Sequence, residues 1–214
     1  VMLGSIFNKA LQSAGETMKE NDEIVVLLDT TKADDEMKST LRHYERYYDN
    51  HITIWQDKFP GHFADWKNQL TLYCFGDYIF QIDADEIPSE ILLENLKDIL
   101  ESNKDIDLFW IPRINDFKGV NPDNARQWGW RLSPYEDRLI VNWPDPQGRL
   151  FKNVPYIEWK RRLHEKVEGA KTFVHLPSEF DFSLLHNKTI EKQIETNIKY
   201  NKIFTEEENK GFKV

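Results

Sequence analysis

Two carboxylates stand two residues apart at the end of an apolar run. Residues 78–82 lead directly into Asp83, Ala84 and Asp85. Side chains two positions apart on extended backbone share one face, so both carboxylates can address the same ligand. Mg2+ and Mn2+ prefer carboxylate oxygens and keep positions open for phosphate oxygens. The pattern predicts a site for a divalent cation and a diphosphate, built on Asp83 and Asp85.

A simpler explanation of the acidic motif stays open at this point. Short Asp-x-Asp matches arise often by accident, and an acidic loop in which Asp85 or Glu86 caps the next helix would look the same. The buried strand before the motif and the helix that opens at residues 88–90 favour the metal site.

Alternating strands and helices are predicted to position the motif. Apolar or β-branched runs predict strands, and a spacing of three to four residues predicts helices. The predicted strands cover residues 24–28, 51–56, 78–82 and 108–111, and the predicted helices cover 5–18, 36–48, 63–73 and a segment opening at 88–90. This alternation predicts an α/β fold with a mainly parallel central sheet flanked by helices. Ligands bind such sheets at the carboxyl ends of strands, where Asp29 and Asp83 both lie.

The pattern changes at about residue 115, so the single domain 1–214 divides into halves 1–114 and 115–205. The second half is rich in Trp, Pro, Asn and Gly, which predicts a smaller β region. Short strands are predicted at 138–142, 149–151, 162–167 and 182–185, and a last helix, opened by His186, carries Ile190, Ile194 and Ile198.

Composition excludes several classes of partner. The net charge of −9 argues against binding nucleic acid or an anionic membrane surface. No apolar run reaches the length of a membrane span, and no secretory signal is visible. Cys74 is the single cysteine, so no intrachain disulfide forms. These features predict a cytoplasmic, intracellular protein.

Four stretches, the last in two parts, resemble glycosyltransferase family 2, a family of GT-A fold. They are residues 24–30, 63–68, 76–86, and 147–153 with 162–165. The branch resembled is that of lipopolysaccharide-core glucosyltransferases, and a viral domain acting in host cytoplasm fits the same pattern. Residue 67 is Lys where the family pattern has Arg. The family also begins with a strand and a polar loop that helps hold the base, whereas only residues 1–3 precede the first predicted helix here.

The resemblance implies transfer of a sugar, with inversion, from a nucleotide-diphosphate sugar, expected to be UDP-linked, to a saccharide acceptor. Residues 1–114 would bind the nucleotide sugar and 115–205 the acceptor, with Mn2+ or Mg2+ as cofactor. The implied metal ligands are Asp83, Asp85 and His186. The implied donor-binding residues are Asp29, Lys67, Asp83 and Ala84.

The same resemblance places the acceptor and the catalytic base in the second half. Glu165 is the first choice as base because it lies in the matched acceptor segment, and Glu136 with Asp137 is the second. The candidate acceptor contacts are Trp130, Trp143 and His164, with Trp128 as a further ring for stacking on sugar.

Each assignment has an ordinary structural alternative. His186 and Asp29 could be helix caps, His186 could also be a core residue, and Lys67 could be an exposed helix lysine. The tryptophans could all belong to the core. At the level of function, the alternatives are a non-catalytic carbohydrate- or nucleotide-binding domain, an Asp-x-Asp phosphatase and a sugar-nucleotide pyrophosphorylase. A pyrophosphorylase would need a Gly-rich loop near its start, and a phosphatase would carry its motif on the first strand.

Overall fold

The computed structural model describes residues 12–18, 22–48, 51–205 and 208. Residues 12–17 are helical, and the rest of the helix predicted for 5–18 lies almost wholly outside the described residues, as do residues 1–3. The helices that follow are α1 (Asp35–Tyr47), α2 (Phe63–Leu72), α3 (Glu90–Ser102), α4 (Pro122–Trp128) and α5 (Ile190–Ile203). The strands are β1 (Ile24–Asp29), β2 (Ile52–Asp57), β3 (Tyr78–Phe80), β4 (Glu86–Pro88), β5 (Leu108–Ile111), β6 (Arg113–Lys118), β7 (Leu132–Tyr135), β8 (Arg138–Val141), β9 (Gln147–Lys152), β10 (Glu158–Lys160), β11 (Lys166–Glu168), β12 (Phe173–His175) and β13 (Leu184–Thr189).

The predicted α/β class is confirmed, but the strand pairing is mixed. The pairs β1–β2, β5–β12 and β6–β13 are parallel. The four-stranded sheet has the order β12-β5-β9-β3 and the five-stranded sheet the order β4-β13-β6-β8-β7. Their remaining described pairs are antiparallel; a short turn joins only β7 and β8, and the other pairs bring together strands that are not consecutive in the chain. The expectation of a mainly parallel sheet is therefore wrong for the described strands.

The two larger sheets meet where the chain passes from β5 to β6. Pro112 separates these strands, so the chain leaves one sheet and enters the other within a single residue. Phe109 and Leu150, on neighbouring strands of the four-stranded sheet, are fully buried, as is Leu184 of the five-stranded sheet. All three belong to one apolar cluster. This shared core fixes the end of β3, where the acidic motif begins, against β4 and β13.

The helix that follows the acidic motif is capped by serine. Ser89 Oγ accepts a hydrogen bond from Leu92 N at 3.1 Å, and residues 86–88 form β4. Asp85 and Glu86 are therefore not its caps, so the capping explanation of the motif is wrong.

Two predictions for the second half are wrong in position. Of the strand predicted for 162–167, only residues 166–167 lie in a strand (β11), because Arg161 and His164 adopt positive φ angles of 79° and 53°, which break extended backbone. His186 does not open the last helix but lies within β13; Thr189 caps α5 by accepting from Lys192 N at 3.3 Å.

No helix among the described residues is long and apolar enough to cross a membrane.

Candidate active site

Asp83 is held by two cations at the end of β3. Its Oδ1 lies 2.8 Å from Lys67 Nζ, and its Oδ2 accepts a hydrogen bond from Arg149 Nη2. Burial raises the pKa of Asp83, but the charges of Arg149 and Lys67 outweigh burial and hold that pKa well below its usual range. Asp83 is therefore ionised, and both of its oxygens already have positively charged partners.

A buried chain of charges continues from Asp83 into the second sheet. Arg149, 4% exposed, also donates to Glu86 Oε1 at 2.8 Å, and Glu86 is fully buried. The same oxygen accepts from Arg113 Nη1 at 2.9 Å, and Arg113 Nη2 donates to Asp145 Oδ2 at 2.8 Å. The chain joins β9, β4 and β6, so it ties the two sheets together beneath the acidic motif.

Asp85 is set apart from this chain and lies beside His186. His186 Nε2 is 3.3 Å from Asp85 Oδ2, and the imidazole is buried. Burial raises the pKa of Asp85, while the hydrogen bond and charge of His186 lower it, and the net pKa is below its ordinary value. The structure thus brings together two of the three predicted metal ligands and gives Asp83 different partners.

Asn115 determines which nitrogen of His186 faces Asp85. Asn115 Nδ2 donates to Asp145 Oδ2 at 2.7 Å and to the Val141 carbonyl at 3.2 Å. Its Oδ1 therefore points at His186 Nδ1, 2.8 Å away, and can only accept. In a neutral imidazole the proton would then lie on Nδ1 and the lone pair of Nε2 would be free for a cation, whereas the hydrogen bond to Asp85 in the absence of a cation needs a proton on Nε2.

A carboxylate oxygen and an imidazole nitrogen that face each other at 3.3 Å fit a divalent cation that takes the place of the proton between them. Within the described ranges, no group of three or more His, Cys, Asp or Glu side chains is arranged to hold a metal. Mg2+ and similar cations at phosphate sites commonly take only one or two protein groups and complete their shell with phosphate oxygens and water. Asp85 and His186 are the residues that would hold it.

The Asn115 contact leads to a testable expectation. Asn115→Ala removes the acceptor that fixes the imidazole, so the affinity for Mn2+ should fall by roughly 10–100-fold. Electron paramagnetic resonance of free Mn2+ measures this directly. Asn95→Ala, which changes an exposed amide on α3, is the matched control and should bind Mn2+ as the wild type does. Unchanged affinity in a folded Asn115 variant would contradict the assignment.

Lys67 also connects Asp83 to the predicted base. Its Nζ lies 2.8 Å from Glu165 Oε1 and 4.4 Å from the centre of the Trp159 ring. Lys67 is 5% exposed, which excludes an ordinary exposed helix lysine. A single cation, that of Lys67, therefore links Glu165 to Asp83. The neighbouring residue His164, a predicted acceptor contact, lies in the bent segment that precedes β11.

Helix α5 packs over the same acids. Burial raises the pKa of Tyr200 to about 12, with further contributions from the negative charges of Glu165, Asp85 and Asp83. The Tyr200 ring lies 6.0 Å from that of Phe63 at the start of α2. Sequence analysis missed Tyr200 because nothing in a helical pattern shows which distant residues its polar face will meet.

Asp29 is engaged in a turn at the end of β1. Its Oδ1 accepts from Thr31 N at 3.0 Å, from Thr31 Oγ1 at 2.8 Å and from Phe59 N at 3.3 Å. These bonds give Asp29 a local structural role. Its other carboxylate oxygen has no hydrogen bond among the described residues, so a ligand contact from that oxygen is compatible with the turn.

The predicted acceptor tryptophans pack against other rings. Trp130 lies 5.4 Å from Phe117 and 4.6 Å from Trp128 between ring centres, and Trp143 stacks on Phe180 at 4.6 Å. Neither Trp130 nor Trp143 is among the residues that line the cavity next to Asp85.

That cavity has a volume of about 720 Å³ and contains the second predicted base, Asp137. Its walls come from the acidic motif, β6 and the loop after it, the turn between β7 and β8, and the junction of β13 with α5. They are formed by Asp85, Asp116, Phe117, Lys118, Gly119, Val120, Asp137, Arg138, Leu139, Asn187, Lys188, Thr189 and Lys192. The structure therefore places the two candidate bases apart: Glu165 beside Lys67 and Asp83, and Asp137 across the cavity that Asp85 borders.

Comparison with known proteins adds independent information on the fold. The family description that matches residues 4–157, more than half of the chain, is Glycosyl transferase family 2. Among solved structures, residues 1–349 of S. aureus TarS superpose with a TM-score of 0.53 at 13% identity. That match covers 98% of this chain and 66% of the TarS chain. At this identity the likeness supports the fold alone.

No curated protein matches the chain significantly. The family match is consistent with the α/β class of the described fold. The chain belongs to glycosyl transferase family 2 and is a glycosyltransferase domain with the GT-A fold.

Proposed function

We propose that this domain transfers a sugar from a UDP-linked donor to a saccharide acceptor with inversion, and that the transfer depends on a divalent cation. The observation that carries the proposal is the pairing of Asp85 with His186 directly beside the Asp83, Lys67 and Glu165 cluster. This combination provides a cation site, a positive charge for phosphate and a carboxylate within one small region. The branch similar to lipopolysaccharide-core glucosyltransferases, a viral source and a cytoplasmic location remain hypotheses from the sequence.

The donor is proposed to lie along the carboxyl ends of β1 and β3. Asp29 would contact the nucleoside, the backbone at Ala84 would pass close to the diphosphate, and Lys67 would neutralise part of its charge. A Mn2+ or Mg2+ ion held by Asp85 and His186 would bind the diphosphate oxygens and stabilise the charge that develops on the leaving group. Asp83 would keep Lys67 and Arg149 in place rather than bind the ion itself.

Glu165 is proposed as the general base. The acceptor hydroxyl oxygen forms a bond to the anomeric carbon while the bond from that carbon to the diphosphate oxygen breaks. The hydroxyl proton passes to Glu165, and the nucleoside diphosphate leaves with the electron pair. Lys67, which contacts Glu165 and Asp83 alike, can turn toward the diphosphate when the donor binds and so release the carboxylate for this step.

Calorimetry tests the donor site. Titration with UDP and UDP-glucose should give binding in the presence of Mn2+ and none, or far weaker binding, in its absence. Titration with GDP serves as the control for the identity of the nucleotide base. Failure of both UDP and GDP to bind with Mn2+ present would contradict the proposed function. A steady release of phosphate from a simple phosphoester would favour the phosphatase alternative, and donor binding without turnover would favour a non-catalytic domain.

The base is tested by substitutions that remove one charge. Glu165→Gln should lower kcat for transfer by about 100-fold or more while UDP still binds, because only the proton transfer is lost. Glu158→Gln, an exposed position on β10, is the matched control and should keep its kcat. If Asp137→Asn lost the activity and Glu165→Gln kept it, Asp137 would be the base. Nuclear magnetic resonance of a product with retained configuration would exclude this role for either carboxylate.

A further inference from the structure

The cavity beside Asp85 holds three lysines that form no direct ion pair in the described part of the chain. Lys118, Lys188 and Lys192 line it, and no carboxylate in the described part of the chain lies within ion-pair distance of their amino groups. Lys188 and Lys192 are half-buried, while Lys118 is exposed. The charge of Asp85 acts on Lys188 from beyond ion-pair distance, and a half-buried ammonium group with no directly bound counter-ion favours binding of an anion.

The acids of the same cavity are mostly engaged elsewhere. Asp116 pairs with Arg138 at 3.1 Å, and Asp85 faces His186. Asp137, exposed in the turn between β7 and β8, is the remaining carboxylate of the lining. The cavity is therefore locally positive, although the whole chain carries a net charge of −9. This concentration of free positive charge is not what the composition alone would predict.

The amino end of α5 adds to this local charge. The helix spans 14 residues and begins at Ile190, between the two half-buried lysines, with Thr189 as its cap. The free N–H groups at the start of a helix carry a partial positive charge and bind anions. Gly119, with φ at +86°, brings the loop after β6 close to Ile190, and the Glu191 carboxylate lies near the same glycine, so one negative charge also stands beside this end of the cavity.

The three lysines lie apart from the basic residues beside Asp83, where the sugar donor is proposed to bind. Apart from Asp85, the lining residues all lie between residues 116 and 192, in the second half of the chain. The cations that contact Asp83, namely Lys67 and Arg149, are not part of the lining. A donor diphosphate bound near Lys67 would leave the cavity beyond Asp85 for the acceptor.

We infer that the acceptor saccharide carries an anionic group, a phosphate or a carboxylate, which binds between Lys188 and Lys192 in this cavity. The inference rests on the proposed function, because it assigns the cavity to the acceptor of the same transfer. A volume of about 720 Å³ is within the usual range for a small-molecule site and accommodates a substituted sugar. A neutral sugar would leave both ammonium groups without a directly bound anion.

Matched sugars test the preference for an anion. Binding of glucose 6-phosphate, glucuronate and glucose is measured by calorimetry and by ligand-observed nuclear magnetic resonance. At least one of the two anionic sugars should bind roughly 10-fold or more tightly than glucose, since charge-assisted hydrogen bonds exceed neutral ones by about this factor. The two anions distinguish phosphate from carboxylate. Equal binding of all three sugars would overturn the inference.

The double variant Lys188→Gln with Lys192→Gln connects that preference to the cavity. It should lose the preference for the anionic sugar by about 10-fold or more, whereas Lys199→Gln, an exposed position on the same helix outside the cavity, should retain it. Circular dichroism confirms that the variants fold. Retention of the full preference in the double variant would place the anion elsewhere and overturn the inference.

UDP binding with Mn2+, measured on the same variants, separates this inference from the proposed function. Unchanged UDP binding in the double variant, together with loss of the anionic sugar, supports an acceptor site. Loss of UDP binding in that variant would assign the lysines to the donor diphosphate and overturn the inference, while the proposed function would stand. If the wild type bound the anionic sugar through these lysines but never bound UDP or GDP, the proposed function would fail, and with it the assignment of the cavity to an acceptor.

Discussion

Replacement of Arg149 by methionine is expected to lower the free energy of unfolding by about 3 kcal/mol or more. The guanidinium is buried and contacts both Asp83 and Glu86, and Glu86 has no exposure to solvent that could compensate for the loss. Methionine fills much of the same volume, so most of the loss comes from excess buried negative charge, because Asp83 keeps only Lys67 and Glu86 keeps only Arg113 as a positive partner. Urea denaturation, with the slope compared between variants, measures the change.

Two further variants show whether charge imbalance is the cause. Arg149→Met combined with Glu86→Gln removes one negative charge along with the positive one, and should recover part of the stability. Arg138→Met breaks a more exposed pair, with Asp116 at 3.1 Å, and should cost at most about 1 kcal/mol. An Arg149 variant as stable as the Arg138 variant would show that the buried chain of charges contributes little.

The local features of the first half could be predicted from the sequence. Strands β1 and β2 and helices α1 and α2 lie within one or two residues of their predicted bounds, because each depends on neighbouring residues alone. The apolar run before Asp83 predicted a buried strand over 78–82; β3 is found there but ends at Phe80, and of its three residues only Ile79 is buried. The pairing of β4 with β13 in the five-stranded sheet is harder to predict. β4 is only three residues long, and its partner lies almost 100 residues further along the chain.

The partners of the charged residues could not be predicted, because they depend on contacts between distant segments. Asp83 meets Lys67 and Arg149, while Asp85, two residues later, meets His186. The shared-face argument assumed that the extended strand continues through the motif, but β3 ends at residue 80 and the chain turns before β4. One signal was available and missed: an arginine flanked by apolar residues in a buried strand, as at position 149, must have an acidic partner.

Asp85→Asn is expected to lower the rate of sugar transfer by roughly 100-fold or more and to abolish the effect of Mn2+ on UDP binding. The substitution keeps the shape of the side chain but removes the charge that would hold the cation, and cation stabilisation of a leaving diphosphate contributes several kcal/mol to the transition state. Turnover of UDP-glucose, with calorimetry in the presence and absence of Mn2+, measures both effects.

Asp83→Asn is the matched comparison, because the same chemical change two residues away should have a different consequence. Asp83 balances Lys67 and Arg149, so its variant should lose stability in urea, whereas Asp85→Asn should change the free energy of unfolding by no more than about 1 kcal/mol. Asp85→Asn should lose affinity for Mn2+, whereas Asp83→Asn should largely retain it. If Asp83→Asn lost Mn2+ binding at full stability and Asp85→Asn retained it, the ion would bind at Asp83, and the division of roles between the two aspartates would be reversed.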